Sequence, residues 1–308
     1  MRSCVGAAMT STNGLLLVDK PSGMTSHDVV ARVRKIFHER RVGHAGTLDP
    51  MATGLLVLAV GPSTRLLRFA QAEVKHYSGT VRFGAATDSL DADGTVVAEC
   101  SVPNLDLQIV DAQCATMIGT QLQTPPMVSA LKVGGRRLHE LAREGVEIER
   151  QPREITIHDL QLEPTGDPEQ WHFDVVCSVG TYVRVLMSDL AVALGTLGHL
   201  TSLRRLSSGR HRIEEALTLE ELAERVERGE EPLAPPAHFV TGLESVVLDA
   251  TQITQMRHGQ RVRLVDSYVG VEIAAFDGDG GLVGILQRRD DQWKPELVLS
   301  TNDADARG

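Results

Sequence analysis

Short apolar segments recur along the chain, and most have the length of a β-strand. Residues 15–18 and 55–60 are continuous apolar runs, which are typical of strands buried on both faces of a sheet. Polar and apolar residues alternate over residues 77–83, as in a strand that is buried on one face only. Residues 155–162 and 171–179 are predicted to form two further strands.

Helical spacing occurs between these runs. A helix is predicted after Thr25 or Ser26, either of which can serve as its N-cap, and it is expected to end near Arg41. Residues 64–69 and 182–194 are predicted to form a short and a longer helix. The strands and helices together indicate an α+β protein. The apolar face of the first helix consists of Val29, Val30, Val33, Ile36 and Phe37.

Proline and glycine separate larger units. Residues 123–152 are rich in both and are predicted to form a long loop with a short helix, a kind of segment that is usually functional in a compact domain. A proline-rich stretch at residues 232–236 is interpreted as a linker, and the β-like runs beyond it indicate a small β-rich module. We therefore expect a flexible tail over residues 1–13, a main domain over 14–245 and a second domain over 246–308.

Composition narrows the class of protein. Hydrophobic residues make up 42% of the chain and charged residues 23%, as in ordinary globular proteins. No apolar run approaches the roughly 18 residues needed to span a bilayer, and we expect a cytoplasmic protein without membrane contact. Isolated reduced thiols, and no metal site, are expected because the cysteines are far apart and form no CxxC pair: Cys4, Cys100, Cys114 and Cys177.

Charge is unevenly distributed. The net charge of −10 argues against nonspecific coating of nucleic acid, because such binding depends on neutralising phosphates. Much of the acidic excess lies in one predicted helix between Glu214 and Glu231. Solvated surfaces would explain each basic cluster singly, but together they suggest a patch for a polyanion. The clusters are Arg32, Arg34, Lys35, Arg40 and Arg41; Arg136, Arg137 and Arg143; and Arg204, Arg205, Arg210, His211 and Arg212.

The most informative segment is residues 44–54, with the sequence HAGTLDPMATG. It places Asp49 in a loop where Gly46 and Gly54 permit a close approach of the backbone. Pro50 restricts the backbone directly after the carboxylate. On the spacing alone, an aspartate that caps or tightens a turn remains the simpler interpretation.

Five segments, in order, resemble the motifs of the TruB family of pseudouridine synthases. The resemblance spans residues 14–212, and it implies the pseudouridine synthase fold, with a mixed, mostly antiparallel sheet flanked by helices. It also implies an RNA-gripping insertion over residues 123–152 and a small PUA-like RNA-binding domain over 246–308. The segments are 20–26 (KPSGMTS); 44–54; 75–77 (KHY) with 87–94 (TDSLDADG); 125–132 (PPMVSALK); and 177–184 (CSVGTYVR) with 198–200 (GHL) and 203–205 (LRR).

The resemblance implies catalytic roles for three residues. Asp49 matches the nucleophile that isomerises a uridine to pseudouridine, and whether it attacks uracil C6 or ribose C1′ stays open. Arg184 matches the arginine that pairs with this aspartate and keeps it ionised. Tyr77 matches the tyrosine that stacks on the uracil near the proton removed from C5. Without the resemblance, a surface arginine and a half-buried core tyrosine are the alternatives.

Five further positions are implied to contact or support the substrate. His44 matches the residue that fills the space left in the RNA by an everted base, while Tyr182 and Leu203 match residues that line the uridine pocket but also suit a protein core. Lys20 matches a lysine that supports the catalytic loop or contacts RNA, the alternative being a solvated turn lysine. Lys132, in the insertion, is expected to meet phosphates.

The implied substrate is uridine 55 in the TΨC arm of transfer RNA. No cofactor is expected, because neither a GxGxxG segment after a strand nor a Walker-type loop is present. We expect a monomer without an obligatory protein partner. Three alternatives stay open: a guide-dependent synthase that needs partner proteins, a noncatalytic RNA-binding protein or chaperone, and a hydrolase that releases free uracil.

Overall fold

The computed structural model describes residues 12–71, 74–127, 148–264, 268–290 and 292–299, together with the backbone of residues 132–133 and 136–137. No helix in this part of the chain is long and apolar enough to cross a membrane. The helices described are α1 (Ser26–Phe37), α2 (Leu107–Met117), α3 (Val183–Ala193), α4 (Leu219–Glu227) and α5 (Ala250–Arg257), with 3-10 helices at Gly61–Ala70, Ile213–Glu215 and Pro236–Phe239.

Nine strands form the larger sheet. Their order is β1-β3-β12-β4-β11-β10-β7, with β2 beside β3 and β13 beside β12. Only the pairing of β3 with β12 is parallel, which confirms the predicted α+β class with a mixed, mostly antiparallel sheet. The strands, in chain order from β1 to β17, are Gly14–Lys20, Val42–His44, Thr53–Val60, Val74–Phe83, Ala85–Thr87, Val96–Glu99, Gly119–Gln123, Lys132–Val133, Arg136–Arg137, Arg153–Pro164, Gln170–Ser178, Gly198–Ser208, His211–Arg212, Glu244–Val247, Glu272–Phe276, Leu282–Arg289 and Gln292–Val298.

Helix α1 begins as predicted and ends earlier. The Thr25 hydroxyl accepts a hydrogen bond from the Asp28 N–H, and the Asp28 carboxylate accepts one from the Thr25 N–H, so the two form a capping box. The predicted end near Arg41 is wrong because His38 adopts a left-handed conformation, with φ at 52°, and stops the helix after Phe37. After residues 38–41 the chain enters β2, so the segment that carries Asp49 connects two paired strands, β2 and β3.

The centre of the sheet contains a strand that the apolar pattern did not predict. Strand β12 lies between β3 and β4 and pairs with both. Polar and charged residues interrupt its apolar positions, and three of them, His199, Arg205 and Ser208, are buried. Helix α2 was missed for a related reason, since only Val110 and Cys114 of its residues are buried.

Helices cover the sheet over separate hydrophobic cores. Helices α2 and α3 pack on the half that contains β4, β10, β11 and β12, where Val110, Leu186 and Phe173 belong to one core. Helices α1 and α4 pack on the other half, where Val33 and Leu222 belong to a second core. Burial of each such side chain contributes about 1.5–3 kcal/mol, which holds the strands in register around the Asp49 loop.

A second sheet occupies the carboxy-terminal region. Strands β14 to β17 pair in sequence order, with β14 parallel to β15 and the other pairs antiparallel. This sheet shares a hydrophobic cluster with the larger one, in which Ile285 and Leu297 pack with Leu15 and Leu66. The proline-rich stretch at residues 232–236 lies against β1, since Ala234 exchanges two backbone hydrogen bonds of 2.8 Å with Leu15. The proposed domain limits remain predictions.

Candidate active site

The Asp49 loop is fixed from three directions by buried polar side chains. The Lys20 ammonium donates to the Pro50 carbonyl at 3.2 Å and also to the carbonyls of Pro21 and Met24. Ser26 Oγ accepts from the Leu48 N–H at 2.9 Å and lies 3.1 Å from the Leu48 carbonyl, to which it is placed to donate. Arg205 Nη2 donates to the Gly46 carbonyl at 3.2 Å. These contacts set the position of the carboxylate before any ligand arrives.

Two of these groups, Lys20 and Arg205, do not lie at the surface of the protein. Lys20 is fully buried, which excludes a solvated turn lysine, and burial lowers the pKa of its ammonium to about 8. Arg205 is also fully buried and donates to the Leu55 carbonyl at 2.6 Å. It therefore cannot belong to a surface patch for a polyanion, although the sequence placed it in one.

Arg184 contacts the Asp49 carboxylate directly. It occupies the second position of α3, its side chain is 2% exposed, and its Nε donates to Asp49 Oδ2 at 2.9 Å. Its Nη1 donates to the Ser89 carbonyl at 2.5 Å and lies 3.4 Å from Asp91 Oδ2. The guanidinium is thus clamped between two carboxylates and a carbonyl, which orients it toward Asp49.

Asp91 lies within the family segment 87–94, but no role at the site was predicted for it. It is 4% exposed and its Oδ1 accepts from Ser89 Oγ at 2.6 Å and from the Asp93 N–H at 3.2 Å. The sequence Asp-Ala-Asp-Gly is typical of a turn, and that pattern concealed the second role. Its contact with Arg184 links two segments that are far apart in the sequence.

The environment of Asp49 shifts its protonation equilibrium. Burial raises the pKa of the Asp49 carboxyl, Arg184 opposes the rise, and the neighbouring Asp91 carboxylate adds to it. About a third of the side chain, 34%, nevertheless stays exposed. Asp49 is therefore a desolvated carboxylate that a substrate can still reach.

Asp49 lies in a cavity of about 300 Å³. This volume is at the small end of ligand-binding sites, which suits a single nucleobase. Four of the other predicted site residues line it: Tyr77 from β4, Tyr182 and Arg184 at the start of α3, and Leu203 from β12. The structure therefore brings the nucleophile, its arginine and three side chains suited to a planar ring into one space.

Gln123 fixes Tyr182, and nothing in the sequence analysis identified it. Its side-chain amide donates to the Tyr182 carbonyl at 3.1 Å and accepts from the Tyr182 N–H at 2.8 Å. Gln123 is buried at the end of β7, where the predicted loop over residues 123–152 begins. A glutamine beside a loop carries no signal of this kind, because the contact spans 59 residues of sequence.

The remaining predicted residues lie around the cavity. His44 ends β2, outside the lining, and its ring packs edge-on against His27 at 5.5 Å between centroids. Burial and His27 lower the pKa of His44, so its ring is neutral at pH 7. The side chain of Lys132 lies outside the described residues. Among those described, no group of three or more His, Cys, Asp or Glu side chains is arranged to hold a metal ion.

Two family profiles match the chain. The profile described as "TruB family pseudouridylate synthase (N terminal domain)" matches residues 34–183. The profile described as "tRNA pseudouridylate synthase B C-terminal domain" matches residues 184–249. Together they include nine of the ten residues predicted from the family resemblance or identified at the site. The first profile includes His44, Asp49, Tyr77, Asp91, Gln123, Lys132 and Tyr182, the second includes Arg184 and Leu203, and Lys20 precedes both.

Curated relatives and solved structures extend the similarity over nearly the whole chain. The tRNA pseudouridine synthase B of Streptococcus pneumoniae serotype 4 is 42% identical over 294 residues, which cover 94% of this chain and 100% of that protein. That of Syntrophotalea carbinolica is 52% identical over 208 residues, or 68% of each chain. A chain in the crystal structure of a Cbf5-Nop10-Gar1 complex has a TM-score of 0.70 at 23% identity, covering 91% of this chain and 79% of that one. It shows the same fold.

Proposed function

This chain belongs to the TruB family of pseudouridine synthases, and we propose that it converts uridine 55 in the TΨC loop of transfer RNA to pseudouridine. The observation that carries the proposal is the Asp49 carboxylate, which remains one-third exposed in a nucleobase-sized cavity while Arg184 binds it at 2.9 Å. The relatives that share most of the chain's length bear the name tRNA pseudouridine synthase B, which supports the choice of substrate.

In the proposed reaction Asp49 acts as a nucleophile. The bond between uracil N1 and ribose C1′ breaks, the base turns over, and a bond forms between C5 and C1′; a covalent adduct with Asp49 divides this change into easier steps. Arg184 holds the carboxylate ionised against the desolvation that raises its pKa. The ion pair also fixes one carboxylate oxygen, Oδ2, and leaves the other to react.

The target uridine has to leave its stack to reach Asp49. Tyr77, on the strand beside the cavity, replaces the lost stacking by packing on the uracil. Tyr182 and Leu203 complete the walls around the base. His44, neutral and outside the cavity, fills the space that the base leaves in the RNA, and Lys20 holds the loop that carries Asp49.

RNA contacts beyond the target nucleotide are proposed mostly for whole segments of the chain and not for single side chains. Lys132 and the insertion over residues 123–152 contact phosphates of the T-arm, and the β-rich region over residues 246–308 acts as a PUA-like RNA-binding domain.

The main domain over residues 14–245 follows a flexible tail over residues 1–13. The protein acts in the cytoplasm as a monomer, without a guide RNA or a protein partner.

Incubation of the purified chain with an unmodified transfer RNA transcript tests the proposal. Pseudouridine mapped by mass spectrometry at position 55 is the expected result, and Asp49→Asn is expected to abolish it while RNA affinity stays within about threefold of wild type, since the substitution conserves shape. Conversion by a pure Asp49→Asn preparation contradicts the mechanism. Activity only after addition of guide RNA and partners, binding without conversion, or release of free uracil would each favour one of the alternatives.

A further inference from the structure

Lys75 lines the cavity and has no role in the chemistry assigned so far. It lies on β4 two residues before Tyr77, so both side chains project from the same face of the strand. Both line the cavity that contains Asp49 and Arg184. Lys75 is 9% exposed, which is unusual for a lysine that has no anionic partner in the part of the chain that the structure describes.

Among the described residues, no group around the Lys75 ammonium neutralises its charge. Within the described part of the chain, Lys75 makes no hydrogen bond or ion pair. Its electrostatic neighbours are the Arg205 guanidinium on β12 and the Cys177 side chain on β11. Burial raises the pKa of Cys177 to about 11, so Cys177 is a neutral thiol at pH 7 and not a counter-ion.

Burial and the neighbouring Arg205 both disfavour the charged form of Lys75. Together they lower the pKa of its ammonium to about 8, with burial as the larger cause. A structural lysine at this depth would be expected to donate to carbonyls, as Lys20 does. The unused donors of Lys75 instead lie beside the loop, since a Cβ built on Gly46 would lie 3.0 Å from its Nζ. Lys75 therefore places an ammonium hydrogen-bond donor in the lining of the cavity.

Building on the proposed function, we propose that Lys75 is a second catalytic residue, which donates a hydrogen bond to a carbonyl oxygen of the everted uracil. In the course in which Asp49 attacks C1′, the bond between N1 and C1′ breaks, and its electron pair stays on the base and spreads over N1, O2, C5 and O4. A donor at one carbonyl stabilises that anion as it forms. C5 then bonds to C1′ as the bond from Asp49 to C1′ breaks and frees the carboxylate, N1 gains a proton and C5 loses one, so the overall change is an isomerisation.

The symmetry of uracil makes one fixed donor sufficient. Turning the ring over about the axis through N3 and C6 exchanges N1 with C5 and also exchanges O2 with O4. A carbonyl oxygen therefore occupies the same place before and after the base turns. Lys75 can donate to one carbonyl in the uridine, to the anion during the turn, and to the other carbonyl in the pseudouridine, without moving.

Lys75→Met and Lys75→Arg form a matched pair for the test. Single-turnover tritium release from C5 of a full-length unmodified transcript is expected to slow about 100-fold in Lys75→Met, as when one oxyanion donor is removed, and to recover in part in Lys75→Arg. RNA affinity and the unfolding temperature are expected to stay near those of wild type. A rate within about threefold of wild type overturns the inference, as does a loss that is matched by weaker RNA binding or by unfolding.

The pH profile distinguishes a proton donor from a structural lysine. The wild-type rate is expected to fall above about pH 8, to lose that fall in Lys75→Met, and to fall at higher pH in Lys75→Arg. The other titratable or charged groups around the ammonium are Arg205 and Cys177, with Tyr77 and Asp49 lining the same cavity. Lys20 titrates near the same pH but is intact in both variants, so a fall that persists in Lys75→Met overturns the assignment.

Sulfur substitution at the target uridine locates the contact. Replacing O4 or O2 by sulfur is expected to slow wild type and to have a smaller effect in Lys75→Met at one of the two positions, because the contact is already lost. Equal effects in both enzymes at both positions overturn the contact. If wild type itself makes no pseudouridine, the proposed function fails together with this inference, whereas active wild type with an unaffected Lys75→Met refutes only the role of Lys75.

Discussion

Two cavities meet at Leu203, and they differ in how their charged groups are solvated. The smaller, about 300 Å³, contains Asp49 and Arg184. The larger, about 910 Å³, is lined by Ser78 and Thr80, which alternate with Tyr77 along β4, and by Arg204. Each has an arginine paired with an aspartate at a similar distance: Arg184 Nε to Asp49 Oδ2 at 2.9 Å, and Arg204 Nη2 to Asp19 Oδ2 at 2.7 Å. Their exposures differ, 2% for the Arg184 side chain against 41% for that of Arg204.

Solvation, and not volume, separates the reactive site from the larger groove. Asp174 lines the larger cavity and pairs with His76, and water competes for both, because their side chains are 45% and 32% exposed. Around the smaller cavity the ionisable groups are desolvated. The pKa of Asp49 is raised and the pKa values of Lys20 and Lys75 are lowered, so the neutral form of each group is favoured. Ionisable groups with shifted pKa values cluster at functional sites.

Removing the arginine of each arginine–aspartate pair in turn is expected to give the largest difference between the two cavities, measured in the free energy of unfolding. Arg184→Met leaves Asp49 and Asp91 without their partner in a buried position, so the free energy of unfolding is expected to fall by about 3–5 kcal/mol. Arg204→Met is expected to lower it by less than about 1 kcal/mol, because that pair is exposed to solvent. Urea unfolding followed by circular dichroism measures both values.

Conversion of transfer RNA is the second measurement on the same pair. Arg184→Lys retains the positive charge but loses the guanidinium that contacts Asp49 and Asp91 at once, and its single-turnover rate is expected to fall about 100-fold or more. The rate of Arg204→Lys is expected to stay within about threefold of wild type. Equal losses of stability and rate in the two positions would remove the distinction between the cavities.

Asp91 is expected to have the next largest effect. Asp91→Asn weakens one anchor of Arg184, which lies 3.4 Å away, and the rate is expected to fall about 10- to 100-fold, or about 1.4–2.7 kcal/mol in the barrier. Because the Asp91 carboxylate raises the pKa of Asp49, its removal lowers that pKa. The acid limb of the pH–rate profile, where Asp49 becomes protonated, is therefore expected to move to lower pH.

Asp174→Asn is the matched control in the larger cavity. It removes a carboxylate that contacts His76 at 2.5 Å, where both side chains remain partly exposed. The rate is expected to stay within about threefold of wild type and the acid limb to stay in place. An acid limb that moves to higher pH in Asp91→Asn would contradict the proposed electrostatic coupling.

The sequence predicted the parts of the site that lie in one segment and missed those that depend on convergence. The buried strand at residues 55–60, the N-cap at Thr25 and the loop around Asp49 follow from local rules of apolar spacing, capping and turn chemistry. Family resemblance supplied Arg184 and Tyr77 as partners of Asp49, and both line its cavity.

Long-range contacts carried no comparable signal. Asp91 and Gln123 resemble ordinary turn and loop residues in the sequence, and Arg205 resembles a surface cation. Their roles arise because β12 inserts between β3 and β4 and carries Arg205 beneath the Asp49 loop. That strand interrupts its apolar positions with charge, so neither its existence nor the burial of its arginine follows from periodicity.

The pH dependence of stability is expected to give the smallest effect. Lys20 titrates at about pH 8 in the folded protein and near pH 10.5 when unfolded, because burial disfavours its charged form. Between these values the unfolded chain binds a proton that the folded chain lacks, so the free energy of unfolding rises with pH, by on the order of 2 kcal/mol for this group. Lys75 contributes a rise of the same sign over the same interval.

Urea unfolding at pH 7.5, about pH 9 and about pH 10.5 measures this rise. Lys20→Met is expected to remove roughly half of it, because Lys75 still titrates in that variant, while its lost contacts with three carbonyls lower stability at every pH alike. Lys294→Met, at a partly exposed position in β17, is expected to retain the full wild-type slope. A slope that falls with pH in wild type, or that is the same in Lys20→Met and Lys294→Met, would show that the lysine beneath the Asp49 loop is not desolvated, and the contrast between the two cavities would then rest on the arginine pairs alone.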